Sequence, residues 1–296
     1  MSCARLTGRE EQSLIACPAH SPYLAPKSPR MPRPAEKAVY LLSDLHLGAP
    51  DPARSLIREK HVVRWLTTIE DEVSELYLVG DVFDFWFEYR HAVPRGYVRF
   101  LGQLARMSDL GIRIHVFSGN HDLWYRDYLR EQIGVDLHFQ PIVREFFGQT
   151  YYLAHGDGLG PGDHGYKLMK RIITHPLARW LFGRFHPDFG IGLAYWLSQN
   201  GGNHNYLDTK PDCHFVCTEQ DPLVVHARAT LRQQPEIDYF VYGHRHKLVD
   251  QPLDDHRRLF ILGDWIQFFS YLKITPQGPQ LARYPVEELE RATSKP

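Results

Sequence analysis

From Ala38 onward, apolar and polar positions fall into two interleaved patterns. Short runs rich in Val, Ile, Leu, Phe and Tyr, the mark of buried strands, alternate with longer stretches in which apolar residues recur every three or four positions, the mark of amphipathic helices. The run VYLLSDLHL reads as a buried strand leading into a loop. Asp51 then supplies an N-cap and Pro52 the first helical position, and the helix beyond carries an apolar face through Leu56, Ile57, Val63 and Leu66. LYLVGD is a second strand, YVRFLGQLARMSDLG a helix closed by Gly111, and IRIHVFSGNHD a third strand ending in a loop. After Gln140 the character changes. IVREFFGQTYYLAHGD, YFVYGHRHKLVDQPL, RLFILGD and FFSYLKI predict hairpin-rich strands. Strand-helix-strand units followed by hairpins predict an α/β protein.

The N-terminal 36 residues lack this periodicity and contain the Pro-rich, basic run SPYLAPKSPRMPRPAEK. Such a composition buries too little apolar surface to fold, so residues 1–36 are expected to be a disordered extension. They show no secretory pattern, and Met31, just before the first strand, is an alternative translation start. The folded domain is expected over 37–285, with 286–296 as a tail. No stretch of 18 apolar residues predicts a membrane span. The net charge of −1 offers no broad basic field for nucleic acid, so phosphate chemistry must arise locally. The four cysteines form no disulfide framework and fit a reducing compartment. Cys213, His214 and Cys217 have a metal-like spacing but lack the second pair that a closed zinc site needs, and free thiols are the simpler reading.

Seventeen histidines remain to be explained, and many cluster where strands end. Asp44-Leu45-His46 closes the first strand, where residues two apart on extended chain share a side and can share one ion. Gly80-Asp81 ends the second, and Asp81 is placed to bridge two ions. Gly119-Asn120-His121-Asp122, His155-Gly156-Asp157 and Gly243-His244-Arg245-His246 follow later apolar runs. Singly, each is more simply a surface histidine or a turn Asn; five together argue for a site. A mixed set of His, Asp and Asn suits borderline cations such as Mn²⁺, Fe²⁺ or Zn²⁺.

This order of motifs, spanning roughly residues 39–270, resembles the calcineurin-like metallophosphoesterases. The resemblance implies a four-layer sandwich, two mixed β-sheets flanked by helices. It implies that Asp44, His46 and His246 hold one metal, that Asn120, His155 and His244 hold a second, and that Asp81 bridges them. Two such cations would activate a shared water and neutralise charge building on the phosphoryl oxygens. His121, directly after Asn120, would act as general acid or charge stabiliser, with Asp84 as a supporting partner or, equally, an ordinary capping carboxylate.

Between His155 and His244 lies a segment, roughly 160–215, that supplies no metal ligand but is dense in aromatic and aliphatic residues, with Lys167, Lys170, Arg171, Arg179 and Arg184 interspersed. Two or three helices broken at His175-Pro176 and His186-Pro187 are expected, forming a cap over the site, a membrane-facing surface, or plain packing on the core. With Gly156-Asp157-Gly158-Leu159 and Gly165-Tyr166, this insertion is similar to that of the UDP-2,3-diacylglucosamine pyrophosphohydrolases of lipid A synthesis. That similarity implies acyl chains held by the cap near Leu177, Trp180, Leu181, Phe182, Tyr195 and Trp196, and Mn²⁺ as activator. Water would attack the α-phosphorus, releasing UMP and diacylglucosamine 1-phosphate. Substrate contacts are expected from Asn120, His121, Asp163, Tyr166 and His244. The enzyme would be cytoplasmic and peripheral on the inner membrane, with Lys170, Arg171, Arg179 and Arg184 facing headgroups. His121 departs from the best-known branch, which has Arg there. A general phosphodiesterase or phosphatase acting on a soluble nucleotide or phosphoprotein is the alternative. A non-catalytic scaffold would be expected to have lost ligands, whereas all seven positions here carry metal-competent side chains.

Overall fold

The computed structural model describes residues 37–201 and 216–285. The expectations for residues 1–36 and 286–296, for Met31, Cys213 and His214, and for the end of the insertion lie outside the described residues. In chain order the elements are β1 (Ala38–Leu42), α1 (Pro52–Ile69), β2 (Val73–Leu78), α2 (Val98–Asp109), β3 (Arg113–Phe117), α3 (Tyr128–Ile133), β4 (Asp136–His138), β5 (Ile142–Phe146) and β6 (Gln149–Ala154). There follow α4 (His164–Ile173), α5 (Pro176–Phe182), α6 (Pro187–Gly201), α7 (Pro222–Leu231), β7 (Tyr239–Tyr242), β8 (Leu248–Pro252), β9 (Arg258–Leu262), β10 (Ser270–Thr275) and β11 (Gly278–Arg283).

One sheet runs β11-β10-β1-β2-β3-β4 and the other β5-β6-β7-β9-β8, both mixed. Period-two alternation builds the layers. Val39 and Leu41 of β1, Tyr77 of β2, Leu153 of β6 and Phe260 of β9 pack together between the sheets. Their neighbours Tyr40, Leu42, Leu76 and Leu78 turn outward onto Trp65 and Leu66 of α1 and Phe100 and Leu104 of α2. On the other side Tyr152, Phe240 and Ile261 meet Leu223 and Val224 of α7. Strands buried on both faces read as continuous apolar runs, as β1 does, and each fully buried Leu contributes about 1.5–3 kcal/mol. The result is helix, sheet, sheet, helix, the four-layer arrangement expected.

Helix α1 departs from its expected face. Asp51 caps it as expected, accepting from the Arg54 N–H at 2.9 Å. Leu66 is buried, but Leu56 and Ile57 are 38% and 51% exposed. The inward positions of the first turns belong to Arg58 and Glu59. Arg58 donates to the carbonyls of Leu45, His46 and Ala49, and Glu59 accepts from the N–H groups of Arg99 and Phe100 at the start of α2. Polar groups with backbone to satisfy displaced the apolar side chains. The later half is likewise only partly hairpins: β6–β7 and β7–β9 are parallel pairs.

Parallel pairing also places the chemistry. β1, β2 and β3 run parallel, as do β6, β7 and β9. Their C-terminal ends lead into Asp44, Asp81, Asn120, His155, His244 and Asp264, the usual position for a site in a sheet of this kind.

Candidate metal centre

Backbone geometry marks these loops first. Asp44, His46, Asp81, His244 and His246 all have positive φ, between 43° and 66°, a conformation that non-glycine residues adopt at a cost of order 1–3 kcal/mol each and that persists where the surroundings over-determine it. The motif glycines follow from close approach. A Cβ on Gly119 would lie 2.2 Å from Asp81 Oδ1, and one on Gly243 would lie 2.7 Å from Asp44 Oδ2 and 2.0 Å from Ser43 Oγ. Only hydrogen fits at either position.

The side chains converge in three groups, within each of which the ligand atoms lie within 4.8 Å of one another: Asp44, His46 and His246; His46, Asp84 and His121, which shares His46 with the first; and Asp81, His155 and His244. Asn120 joins the third, its Oδ1 3.3 Å from His155 Nε2. Asp81 Oδ2 stands between the groups, 3.7 Å from His46 Nε2 and 3.3 Å from His155 Nε2. All seven residues that the motifs pointed to therefore meet in one place. Asp44, Asp81 and Asp84 are buried, and Asn120, His121, His244 and His246 form the partly exposed mouth.

The donor set fits divalent cations. His155 Nδ1 faces the Val79 carbonyl at 2.8 Å; a carbonyl only accepts, so that nitrogen carries the proton and Nε2 presents its lone pair toward Asp81. His46 Nδ1 faces Asp84 Oδ1 at 3.3 Å and His246 Nδ1 faces Asp264 Oδ2 at 3.1 Å. Their Nε2 atoms then point at each other across 3.2 Å, an opposition of lone pairs that a shared cation relieves. Asp44 Oδ1, also buried, has no hydrogen-bond partner and sits 3.4 Å from His246 Nε2. An unpartnered carboxylate oxygen close to two imidazole nitrogens is an arrangement competent to hold a cation.

The electrostatics agree. Burial works to lower His46, but the surrounding carboxylates of Asp44, Asp84 and Asp81 push it up to about 10. His155 is likewise raised to about 10, against its burial, chiefly by Asp81. Burial acts to raise Asp81, yet His155 and His121 hold it well below the usual carboxylate range. His244 falls to about 4 through burial and the neighbouring His155. Three buried carboxylates thus create a field that demands positive charge, which bound cations or protonated imidazoles can satisfy.

Two supports went unread in the sequence. Asp264 orients His246 while its Oδ1 accepts from the N–H groups of Ile266, Gln267 and Phe268; a Gly-Asp after an apolar run, as at Gly80-Asp81, was the available signal. Asp122, pushed up to about 6 by burial and by Asp81, accepts from the Val82 and Gly119 N–H groups and from Tyr125 OH. Asp84, left open in the sequence, is 3.3 Å from His46 Nδ1 and 3.4 Å from His121 Nδ1.

Helices α4, α5 and α6 break at His175-Pro176 and His186-Pro187, as expected. Phe182 packs on Phe85, Phe87 and Trp124, and Tyr195 on Phe85, so the insertion rests on the loops that follow Asp84 and His121. Leu177, Trp180, Leu181 and Trp196 remain 51–60% exposed. Two of the four cations expected to face headgroups turn inward instead: Lys170 Nζ pairs with Asp157 at 2.5 Å and Arg179 donates to the Tyr125 carbonyl. Both are corrections, and both follow from buried acceptors that needed donors. Arg184 lies over the Trp180 ring. Tyr166 also donates to Asp157, two residues from His155, whereas Asp163 is exposed at the start of α4.

A family model described as calcineurin-like phosphoesterase matches residues 38–248. A UDP-2,3-diacylglucosamine hydrolase of Porphyromonas gingivalis is 40% identical over 241 residues, covering 79% of this chain and 92% of that protein. A protein of the same name from Edwardsiella ictaluri is 27% identical over 257 residues, covering 86% and 94%. Among solved structures, the phosphoesterase Yfce from E. coli is 14% identical, covers 80% of this chain and 87% of that one, and aligns with a TM-score of 0.38.

Proposed function

This chain belongs to the calcineurin-like phosphoesterase family, and from that premise we propose that it hydrolyses UDP-2,3-diacylglucosamine to UMP and 2,3-diacylglucosamine 1-phosphate. The observation that carries the reading is the convergence of Asp44, His46, Asp81, Asn120, His155, His244 and His246, in a chain 40% identical to a hydrolase of that name over 92% of its length. That likeness favours the lipid pyrophosphohydrolase over a general phosphodiesterase.

Phosphoesterases of this family use divalent metals. Asp44, His46 and His246 would hold one and Asn120, His155 and His244 the other, with Asp81 shared between them; Mn²⁺ suits this mixture of nitrogen and oxygen donors. When bound, the pair supplies an activated water and charge stabilisation for attack on phosphorus. Val79, Asp84 and Asp264 fix the tautomers of His155, His46 and His246, so each presents Nε2 to the site. The His121 ring, held through Nδ1 near Asp84 and partly open to solvent, is placed at the mouth to give a proton to the departing phosphate oxygen or to stabilise its charge. Asn120 and His244 share that mouth and would contact phosphoryl oxygens, while Asp163 and Tyr166 at the start of α4 would meet the glucosamine.

No helix among the described residues is long and apolar enough to cross a membrane. The exposed Leu177, Trp180, Leu181 and Trp196 support peripheral contact with the cytoplasmic leaflet, with Arg171 and Arg184 as the remaining cations. Phosphorus NMR of products from UDP-diacylglucosamine in ¹⁸O-water with Mn²⁺ tests the function. The label is expected in UMP. Turnover of nucleotide diesters without turnover of the lipid would overturn it.

A further inference from the structure

Two cavities adjoin the loops of the metal centre, one at Gly48 and the other at His155, and they differ in chemistry. One, of about 470 Å³, lies between the first turns of α1 and Tyr195 of α6, touches the metal loop at Gly48, and is walled chiefly by apolar surface that includes Leu56 and Tyr97. The other, of about 280 Å³, opens beyond the C-terminal ends of β3, β4 and β6, and its walls are more polar than apolar. It is continuous with the metal centre twice over. Ser118 in its wall precedes Gly119-Asn120, and His155 and Asp157 form its floor.

The sugar nucleotide of the proposed reaction has two dissimilar ends joined at the diphosphate. With the phosphorus under attack at the metal centre, each end needs a cavity of its own, and those at Gly48 and His155 are available to them. The apolar cavity lies beside the insertion that carries the exposed apolar helices, and it suits the acylated sugar. The polar cleft suits the nucleoside. Its wall offers Phe139, 47% exposed, as a flat apolar face, and base-on-aromatic stacking tolerates any base. Gln140 and Ser118 in the same wall offer a carboxamide and a hydroxyl. A carboxamide matches the adjacent N–H donor and carbonyl acceptor on the edge of uracil. Lys167 adds a cation whose Nζ donates to the Gly160 carbonyl, whereas the charge of Lys170 is already met by Asp157.

We infer that the cleft between the β3–β4 ends and α4 is the uridine subsite, with Phe139 against the base and Gln140 and Ser118 at its edge. This rests on the proposed substrate and adds its orientation: uridine on the His155 side, acyl chains on the Gly48 side. Phe139 and Gln140 are exposed, so their replacement spares the core.

The test is UMP affinity by calorimetry on the full, Mn²⁺-loaded chain, together with KM for UDP-diacylglucosamine. Phe139→Ser with Gln140→Ala is expected to weaken UMP binding roughly ten-fold or more and to raise KM without a matching fall in kcat. Leu56→Glu, in the apolar cavity, is expected to leave UMP affinity at the wild-type value. Saturation-transfer NMR of uridine with the metal-free chain gives a readout independent of activity: signal is expected for wild type and not for the Phe139/Gln140 variant. Wild-type turnover of the lipid nucleotide with UMP affinity unaltered in the Phe139/Gln140 variant would overturn the placement alone. Loss of UMP binding in Leu56→Glu instead would reverse the orientation and overturn it as well. Wild-type protein that neither cleaves the lipid nucleotide nor binds UMP would remove the substrate reading on which it stands.

Discussion

Asp264→Asn isolates the part of the metal centre that acts through another residue. Asp264 is 1% exposed and divides its two oxygens between two tasks. Oδ1 accepts from Ile266, Gln267 and Phe268 N–H at 2.9, 2.7 and 3.2 Å, and Oδ2 faces His246 Nδ1 at 3.1 Å. The three N–H groups require an oxygen on their side, so the carboxamide of the variant has one orientation, with its NH₂ toward the imidazole. A donor there expels the Nδ1 proton to Nε2, and His246 then presents N–H instead of a lone pair toward Asp44. Loss of such a supporting partner weakens metal affinity about 10–100-fold, or about 1.4–2.7 kcal/mol. Calorimetric Mn²⁺ titration of chelator-stripped protein should show this loss at one of two sites, with a melting temperature close to wild type. Asp264→Ala strands three donors, of which the buried Phe268 N–H alone costs about 1–3 kcal/mol, and should melt markedly lower. An Asn variant with wild-type affinity at both sites would refute the tautomer argument.

His121→Ala should keep wild-type metal content, measured by elemental analysis, and slow hydrolysis by roughly 10²–10⁴; an unchanged rate would make His121 a neighbour only. Metal-free protein should lose stability as pH rises. His46 and His155 are raised from the ordinary 6.5 to about 10, so their contribution is complete below 6.5 and disappears as pH climbs through 10. Thermal unfolding in chelator at pH 6.5 and 9.5 should show the lower midpoint at 9.5, and Mn²⁺ at pH 9.5 should raise it. Trp180→Asp should leave the protein in the supernatant when anionic vesicles are sedimented, under conditions in which wild type co-sediments.

The sequence by itself determined what depends on neighbours along the chain. Strand runs buried on both faces, the Asp51-Pro52 start of α1, the Gly111 stop of α2 and the proline breaks between α4, α5 and α6 all arise from local sterics and period, and each stands where the pattern predicts. The metal-competent residues were legible for the same reason, since each follows an apolar strand at its C-terminal end, and parallel pairing carries those ends to one place. Only the tertiary structure decided what depends on partners far along the chain. The inward face of α1 went to Arg58 and Glu59 because backbone carbonyls near residues 45–49 and N–H groups at 99–100 needed them. Lys170 and Arg179 look like surface cations on a helical wheel, yet Asp157 and the Tyr125 carbonyl draw them in. Asp264 resembles any acid after a strand until His246, 18 residues away, is seen to lean on it. Hydrogen bonds need their partners within about 3 Å, and such separations are set by the packing of the sheets, which no window of sequence contains.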